Sequence, residues 1–465
     1  MKLVQSLFAV AAATCFAGGA IAQDALTTDR HAAARAAGFR ALHLCTGLFS
    51  SGQSRETLEA TRSASSGDDD AGVTIDETAR TVSVTYIEDM PPRIAVWRPN
   101  LGCAQLPVGA TLDAAANLRR FPEDLAVPDF DAEPWPMGEV DAVAAVSPEI
   151  EAALSGLLDE AFADEDGAYG GDTWGVAVVQ DGRIIAERYA EGFGPHISAR
   201  TNSMCKSAAV SLVGVGVQQG LVDIHQPAPL EEWRTPGDPR GAVTINDMLH
   251  MASGLYTEAG GNPQSDIYGV GAPPSEVSAL NMVTAPPNGQ FVYAGSDTIL
   301  SVRAVREAYG DDETWISWPH REFFWKIGMT RTFIETDWRN DFLASGQCWS
   351  TVRDFARFGL LYLADGVWDG ERILPEGWAE YVRTEEGPQP GGTYAATGRG
   401  YGAQFWTYDG VEGLPADAHS AAGAYGQYAM IVPSENLVVV RRGFDYRGGF
   451  NIAKFSADVI AALED

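Results

Sequence analysis

The sequence predicts an α+β fold in which an antiparallel sheet is covered by helices. An Asp-Gly pair separates two apolar runs at residues 174–179 and 184–189, which is a strong signal for a β-hairpin. Two further apolar runs, 428–432 and 437–440, flank a Pro-Ser-Glu-Asn turn near the C-terminus. Two hairpins at the ends of one domain, with long helical stretches between them, indicate a sheet flanked by helices.

The composition is that of a globular protein with two or three domains, or one large and one smaller domain. The chain has 465 residues, of which 45% are hydrophobic. Asp and Glu number 63 against 32 Lys and Arg, which gives a net charge of -31. Because such a surface repels phosphate groups, neither nucleic acid nor an anionic membrane is expected as a partner. Solubility or salt tolerance is the preferred explanation of the acidity, and attraction of cationic substrates is the alternative.

Residues 1–22 have the pattern of a secretory signal peptide. Lys2 precedes a short apolar stretch, which ends in a small-residue cleavage signal at residues 20–22. A lipoprotein signal at Cys15 fits less well, because the usual large aliphatic residue upstream is missing. No later apolar run is long enough for an integral membrane span. The protein is therefore expected to be periplasmic or secreted.

Export would place the remaining four cysteines in an oxidising compartment, where disulfides persist. Cys45 and Cys103 are neighbouring cysteines within one compact region, and we expect them to pair. Cys205 and Cys348 are left either to pair with each other or to stay free.

Residues 23–120 are predicted to form a small, disulfide-linked accessory domain. Short β-like runs at 73–75, 81–86 and 94–97 are separated by polar and Pro-containing stretches. Residues 121–146 are rich in proline, and this composition suits a stiff linker.

The large domain, residues 147–465, opens with a helix signal. Ser147 is the expected N-cap and Pro148 the first helical residue, and apolar side chains then recur on one face as far as Phe162. A terminal helix is predicted from about Asn451.

Ser203 and Lys206 are the strongest candidates for chemistry. The residues that follow them, up to Val217, are apolar on all sides, as is typical of a buried helix. Because residues three apart share a helix face, Ser203 Oγ and Lys206 Nζ can approach to hydrogen-bond distance. Burial would lower the pKa of the Lys and let it deprotonate the Ser. The alternative is that Ser203 caps the helix while Lys206 reaches solvent.

Three other catalytic signatures are missing from the chain. No Lys follows a Gly, which excludes a phosphate-binding loop, and no Ser lies in a Gly-x-Ser-x-Gly turn. The seven His are too far apart in sequence for a His-Glu-x-x-His zinc motif, although their spacing does not exclude a site assembled from distant ligands. No cofactor and no metal is therefore predicted.

The order of the motifs resembles a known superfamily. Three motifs follow one another before the C-terminal hairpin: Ser203-x-x-Lys206, Tyr293 and the Gly-Ala-Tyr-Gly-Gln segment 423–427. This order resembles that of serine hydrolases related to β-lactamases and penicillin-binding proteins. The class C-like branch, with carboxylesterases and 6-aminohexanoate-dimer hydrolases, is the most similar. The resemblance covers about residues 150–465 and implies a sheet with a helical subdomain. Further similar segments lie at residues 244–255, 327–329, 351–359 and 401–406.

The resemblance implies a role for each matching residue. Ser203 would be the acylated nucleophile and Lys206 its base or proton relay. Tyr293 would match the family's Tyr-x-Asn tyrosine and move a proton to the leaving group or from water. The oxyanion hole would be the backbone amides of Ser203 and Ala424, with Gly423 permitting close backbone approach. Taken alone, Tyr293 would be an amphipathic residue beside a loop, and Gly423 a strand-end glycine.

Four residues are predicted to line the substrate pocket: Gly423, Tyr425, Gln427 and Asp266. Asp266 would accept a substrate ammonium group, although an exposed loop carboxylate is the stronger interpretation.

Two positions depart from the family's pattern. Gly295 stands where many relatives have Asn, and Ala421 occupies the first place of a Lys-Thr-Gly-like triplet. Without that Lys, the carboxylate of a penicillin loses its charged partner, so efficient β-lactamase action is not expected. His419 lies two residues upstream of Ala421 and could substitute for that Lys, but a surface His is the preferred interpretation.

The sequence therefore predicts an exported serine hydrolase that cleaves a small-molecule amide or ester through an acyl-enzyme at Ser203. A D-alanyl peptidase or slow penicillin-recognising cell-wall protein is the first alternative, and a non-catalytic sensor or binding module is the second. Which of Lys206 and Tyr293 acts as the base, and the oligomeric state, are left open.

Overall fold

The computed structural model describes residues 29–61, 72–164, 167–257, 271, 273–445 and 449–464. The predicted signal peptide, residues 1–22, and Asp266 lie outside the described residues.

The N-terminal region is a long helix followed by a four-stranded antiparallel meander. Helix α1 covers residues 29–49 and α2 covers Arg55–Ala60. The strands pair in the order β1 (Val73–Asp76), β2 (Thr81–Val84), β3 (Arg93–Arg98) and β4 (Gly102–Gln105). The first three coincide with the predicted β-like runs, whereas β4 carries no such run. The expected disulfide between Cys45 and Cys103 is present and ties α1 to β4.

The two ends of the large domain meet in one sheet, as the hairpin patterns predict. Its seven strands lie in the order β12-β13-β14-β15-β16-β5-β6, and all neighbours are antiparallel. A second, three-stranded sheet has the order β7-β9-β8. The strands of the large domain are β5 (Thr173–Gln180), β6 (Arg183–Tyr189), β7 (Ala199–Arg200), β8 (Phe333–Ile334), β9 (Cys348–Ser350), β10 (Val367–Trp368), β11 (Glu371–Arg372), β12 (Gly400–Tyr401), β13 (Trp406–Thr407), β14 (His419–Gly423), β15 (Gln427–Val432) and β16 (Leu437–Gly443).

Helices pack on both faces of the seven-stranded sheet. The Ser147 hydroxyl caps the first of them by accepting the N–H of Ile150, and this confirms the predicted N-cap. The first and last helices of the large domain, Pro148–Ala161 and Ile452–Glu464, pack against each other. In chain order the helices are α3 (Pro148–Ala161), α4 (Cys205–Gln218), α5 (Ile245–Leu249), α6 (Pro274–Ala279), α7 (Gly295–Tyr309), α8 (Asp312–Trp315), α9 (Val352–Leu363), α10 (Trp378–Arg383), α11 (Thr393–Ala396) and α12 (Ile452–Glu464).

Helix α4 is buried on all sides, as its apolar sequence predicts. Two glycines let neighbouring side chains approach its backbone. A Cβ at Gly214 would lie 2.8 Å from the Trp378 ring, and one at Gly216 would lie 2.8 Å from Val305. The helix that carries Lys206 is therefore held rigidly inside the core.

The proline-rich segment 121–146 is fixed by contacts with the large domain. The Trp135 side chain is buried and donates a hydrogen bond to Gly182 O at 2.8 Å. The Arg357 guanidinium on α9 donates to the carbonyls of Pro136 and Gly138 at 2.6 Å and 2.7 Å. These bonds hold the segment against the surface of the large domain.

Within the described ranges, we find no helix with the length and apolar character needed to cross a lipid bilayer.

Candidate active site

Ser203 lies in a single 3₁₀ turn, Asn202–Met204, that runs directly into α4. Asn202 adopts a left-handed backbone conformation with φ of 49°, and its side-chain amide donates to Ala424 O at 3.0 Å. Met204 is buried while Ser203 is half-buried. The turn therefore presents the Ser203 hydroxyl at the N-terminus of a buried helix, where the helix dipole favours negative charge.

Lys206 is buried next to this hydroxyl. Its Nζ lies 3.4 Å from Ser203 Oγ and donates to the carbonyl of Ser345 at 2.8 Å. The residue is only 1% exposed, so the alternative in which it reaches solvent is wrong. Burial penalises the charged ammonium and lowers the pKa of Lys206 to about 7. A substantial fraction of the amine is therefore neutral at neutral pH.

Tyr293 completes the group of three predicted catalytic residues. It is half-buried just before α7, and Lys206 Nζ lies 4.8 Å from the centroid of its ring. Gly295, the departure from the family's Asn, is the buried first residue of α7. Three residues separated by up to 90 positions in sequence thus share one small volume.

The end of β14 lies against the Asn202–Met204 turn that carries Ser203. A Cβ at Gly423 would lie 2.3 Å from Thr201 O and 3.0 Å from Ser203 N, so a larger residue does not fit. This approach brings the backbone of the exposed Ala424 beside Ser203. The placement suits an oxyanion hole built from the amides of Ser203 and Ala424, which stays a prediction.

Tyr425 and Gln427 shape the turn after β14. Tyr425 has a φ of 61°, and its ring stacks on Phe444 at 4.8 Å. The Gln427 amide nitrogen donates to the carbonyls of Tyr425 and Gly443, and its oxygen accepts from Arg442 Nε at 2.7 Å. Since Gln427 is also buried, it supports the turn from inside. The predicted places of Tyr425 and Gln427 in the substrate pocket stay predictions.

Neither Ala421 nor His419 supplies a positive charge to the site. Both are buried on β14, so the interpretation of His419 as a surface residue is wrong. The His419 ring packs edge-on against Phe405, and its Nδ1 lies 2.9 Å from Asp417 O. Burial lowers the pKa of His419 to about 4, so the imidazole is neutral at physiological pH.

A disulfide lies beside Ser203 and Lys206. Cys205 stands between Ser203 and Lys206 and is bonded to Cys348, which decides the pairing that the sequence left open. Cys348 begins β9 three residues after Ser345, the acceptor for Lys206 Nζ. The disulfide thus joins the two chain segments that hold the Lys206 amine.

Some residues around the site escaped the sequence analysis. Ser345 contributes a backbone carbonyl, which leaves no signal in the sequence. Tyr401 and Trp406 pack against Tyr293, with ring centroids 5.9 Å and 5.8 Å away. Asp297 on α7 is buried and accepts a hydrogen bond from Ser253 at 2.9 Å, and burial raises its pKa to about 7. Of these residues, only Tyr401 and Trp406 could have been found from the sequence, because the 401–406 segment is similar to the superfamily.

Comparison with known proteins supports the superfamily on independent grounds. Residues 158–441, more than half of the chain, match the family model described as beta-lactamase. The chain belongs to the beta-lactamase family. This membership confirms the resemblance that the motif order predicts.

Members of the family and solved structures with this fold are similar over most of the chain. The 6-aminohexanoate-dimer hydrolase of Paenarthrobacter ureafaciens is 25% identical over 370 residues, covering 75% of this chain and 87% of that protein. A structure from Bacillus anthracis, also named as a 6-aminohexanoate-dimer hydrolase, has a TM-score of 0.54 and 22% identity and covers 75% of this chain and 89% of its own. A class C beta-lactamase in complex with cefoxitin has a TM-score of 0.50 and 12% identity, and the match covers 68% of this chain and 98% of that chain. The fold is therefore that of β-lactamases, as expected.

Among the described residues, no group of three His, Cys, Asp or Glu side chains is arranged to hold a metal ion.

Proposed function

We propose that this protein is an exported serine hydrolase that cleaves an amide or ester bond through an acyl-enzyme at Ser203. The observation that carries the proposal is the buried Lys206 amine, 3.4 Å from Ser203 Oγ and 4.8 Å from the Tyr293 ring centroid. The membership of the beta-lactamase family, with two disulfides that suit an oxidising compartment, agrees with it.

In the acylation step, neutral Lys206 takes the proton of the Ser203 hydroxyl while Oγ bonds to the substrate carbonyl carbon. The carbonyl oxygen becomes an oxyanion beside the amides of Ser203 and Ala424. When the carbonyl carbon separates from the leaving nitrogen or oxygen, Tyr293 donates its phenolic proton to that atom. The Lys206 ammonium then returns a proton to the Tyr293 oxygen, and the ester at Ser203 remains.

Water completes the cycle. Neutral Lys206 removes a proton from a water molecule as the water oxygen attacks the acyl carbon, either directly or through Tyr293, which then passes its own phenolic proton to the amine as it takes the proton of the water. The bond from Ser203 Oγ to the acyl carbon breaks, Ser203 recovers a proton, and the carboxylic acid product leaves.

The preferred substrates are linear amides or esters. A relative is named 6-aminohexanoate-dimer hydrolase, and an amide bond joins the units of such a dimer. Ala421 and the neutral, buried His419 leave a β-lactam carboxylate without a cation at these positions. We therefore expect slow or no turnover of penicillins.

Active-site labelling tests this proposal. A fluorophosphonate probe should label the protein at Ser203, and Ser203→Ala should abolish labelling while the circular dichroism spectrum stays unchanged. Ser211→Ala is a suitable control, because Ser211 is buried in the same helix and away from the N-terminal turn. Labelling that persists in Ser203→Ala would contradict the proposal.

A fluorescent penicillin separates the alternatives in the same experiment. Labelling by the fluorophosphonate alone favours an esterase or amidase. Labelling by both probes would support a D-alanyl peptidase or penicillin-recognising protein. Labelling by neither would point to a sensor or binding module.

A further inference from the structure

Five aromatic residues form a continuous wall beside the candidate catalytic group: Phe291, Tyr293, Tyr394, Tyr401 and Trp406. We call this set the aromatic wall. Its members come from the loop before α7, from α11, and from β12 and β13. Because four separate segments contribute, the wall is a product of the tertiary fold.

The wall begins at the catalytic group and ends at the surface. The Tyr293 ring, next to Lys206, lies 5.8 Å from Trp406, and Trp406 lies 4.6 Å from Tyr394. Tyr401 packs edge-on against Trp406 at 5.0 Å. Trp406 is 8% exposed, whereas Tyr394 is 43% exposed. The Tyr394 ring is therefore accessible to solvent, and it is connected to Tyr293 through its contact with Trp406.

The strand next to the wall presents a small apolar side chain to it. Trp406 pairs with Ser420 of β14, the strand that ends at Gly423 beside Ser203. The next two residues of that strand face opposite sides of the sheet: Ala421 is buried in a separate apolar cluster, whereas Ala422 packs in the same cluster as Tyr293 and Trp406. This edge of the site therefore suits an uncharged group better than a carboxylate.

We propose that the aromatic wall binds the leaving group of the substrate, and that this leaving group is a flat, apolar ring, as in a benzyl ester or benzyl amide. The inference rests on the proposed function, in which Tyr293 protonates the leaving atom. Whatever is attached to that atom must then lie on the Tyr293 side of Ser203, next to Trp406 and Tyr394. A planar ring can stack on Tyr394 and Trp406, which a short alkyl chain does poorly.

Two pairs of esters test which half of the substrate meets the wall. Benzyl acetate and propyl acetate share an acyl group, whereas methyl phenylacetate and methyl butyrate share a leaving group. We expect the wild type to prefer benzyl over propyl acetate in kcat/KM. Tyr394→Ala should reduce that preference about three- to tenfold, as expected for loss of one ring contact, and leave the ratio for the methyl esters unchanged.

Tyr394→Phe is the matched control, since it keeps the ring and should keep the preference for benzyl acetate. If Tyr394→Ala left the benzyl-to-propyl ratio unchanged, or changed the methyl-ester ratio instead, the inference would be overturned while the proposed function stood. If the wild type hydrolysed none of the four esters although its Ser203 reacted with the fluorophosphonate, the inference would likewise be overturned; if Ser203 did not react either, the proposed function would fail, and this inference with it.

Discussion

The reactivity assigned to Ser203 depends on the proton affinity of one buried amine. Lys206 is enclosed by α4 and the segment that carries Ser345, and this enclosure removes the water that would stabilise an ammonium ion. The resulting pKa of about 7 puts the amine in the range where a general base is effective.

Replacing Lys206 with Arg should abolish this base. A guanidinium stays protonated at any pH that the folded protein tolerates, so it cannot accept the Ser203 proton. We expect Lys206→Arg to lower the rate of ester hydrolysis about 10²- to 10⁴-fold, the usual contribution of a general base. Lys326→Arg is the control, since Lys326 forms an ion pair with Glu371 away from the site. A Lys206→Arg enzyme within tenfold of the wild type would refute the assignment.

The sequence was sufficient to predict that the side chains of Ser203 and Lys206 lie together. It was insufficient to predict the groups from distant segments that contact them. The spacing of Ser203 and Lys206 is a helical contact, so it can be predicted from the chain alone. The Ser345 carbonyl lies 139 residues beyond Lys206 and has no motif. Likewise the buried state of His419 depends on how β14 is covered, which no local pattern reveals.

Two elements hold the turn that carries Ser203 in place: the end of β14 and the disulfide at the start of α4. The first depends on Gly423. In Gly423→Ala the added methyl group would meet Thr201 O and Ser203 N, so the strand end or the turn must shift. We expect the labelling rate at Ser203 to fall at least about tenfold, since small displacements of reacting groups are costly.

The control for this variant is Gly156→Ala. Gly156 lies on the exposed side of α3, and a Cβ there meets nothing within 4 Å. Its labelling rate should be unchanged, and its thermal stability should rise slightly because Ala favours a helix. Equal labelling rates in Gly423→Ala and the wild type would show that the close approach is not needed.

The Cys205–Cys348 disulfide is expected to support activity as well as stability. It joins the residue beside Lys206 to the strand that follows Ser345, so its removal should let the Lys206 amine drift from its two partners. The double variant Cys205→Ala, Cys348→Ala should lose about tenfold or more in kcat, together with thermal stability.

The Cys45–Cys103 disulfide provides a matched comparison. It links α1 to β4 in the N-terminal region. The double variant Cys45→Ala, Cys103→Ala should lose stability by about 2–4 kcal/mol while kcat measured below its Tm stays near that of the wild type. If both double variants lost only stability, the Cys205–Cys348 bond would have no special role at the site.

The hairpins, α3 and α4 could be predicted because their patterns are local and long enough to show a period. Strands β7, β8 and β9 could not, since segments of two or three residues have no periodicity. Their pairing is decided by tertiary contacts, among them the hydrogen bond from Thr201 N to Cys348 O.

Across the whole molecule, the N-terminal region and the large domain share a core. Phe333 and Trp349 of the large domain pack in the same apolar cluster as Leu44 and Val82. Residues 23–120 were predicted as an accessory domain, and the short β-like runs gave no hint of this shared cluster. The reason is that the partner residues lie more than 200 positions away along the chain.

A buried carboxyl at this junction should make stability depend on pH. Burial raises the pKa of Glu335 to about 8, although two effects oppose the rise: the hydrogen bond that its carboxyl group accepts from the Thr46 hydroxyl and, after it, the charge of Arg200. Between about pH 4.5 and 8 the unfolded chain loses this proton while the folded chain keeps it. Stability should therefore fall as pH rises through this window.

Glu335→Gln removes the titrating group and keeps its shape. We expect the Tm of this variant to exceed that of the wild type by a few degrees at pH 8.5, and the difference to shrink towards pH 5. Glu88→Gln, at an exposed position in the N-terminal region, should follow the wild type at every pH. If the Tm of Glu335→Gln and that of the wild type changed in parallel with pH, Glu335 would not contribute to the pH dependence of stability.

The pH dependence of fluorophosphonate labelling at Ser203 tests the central claim most directly, because the rate reports the fraction of nucleophile that a neutral base can activate. With Lys206 as the base, the rate should rise with pH to a plateau, with a midpoint near 7. A rate that is flat between pH 5 and 9, or that rises only near pH 10, would contradict the account.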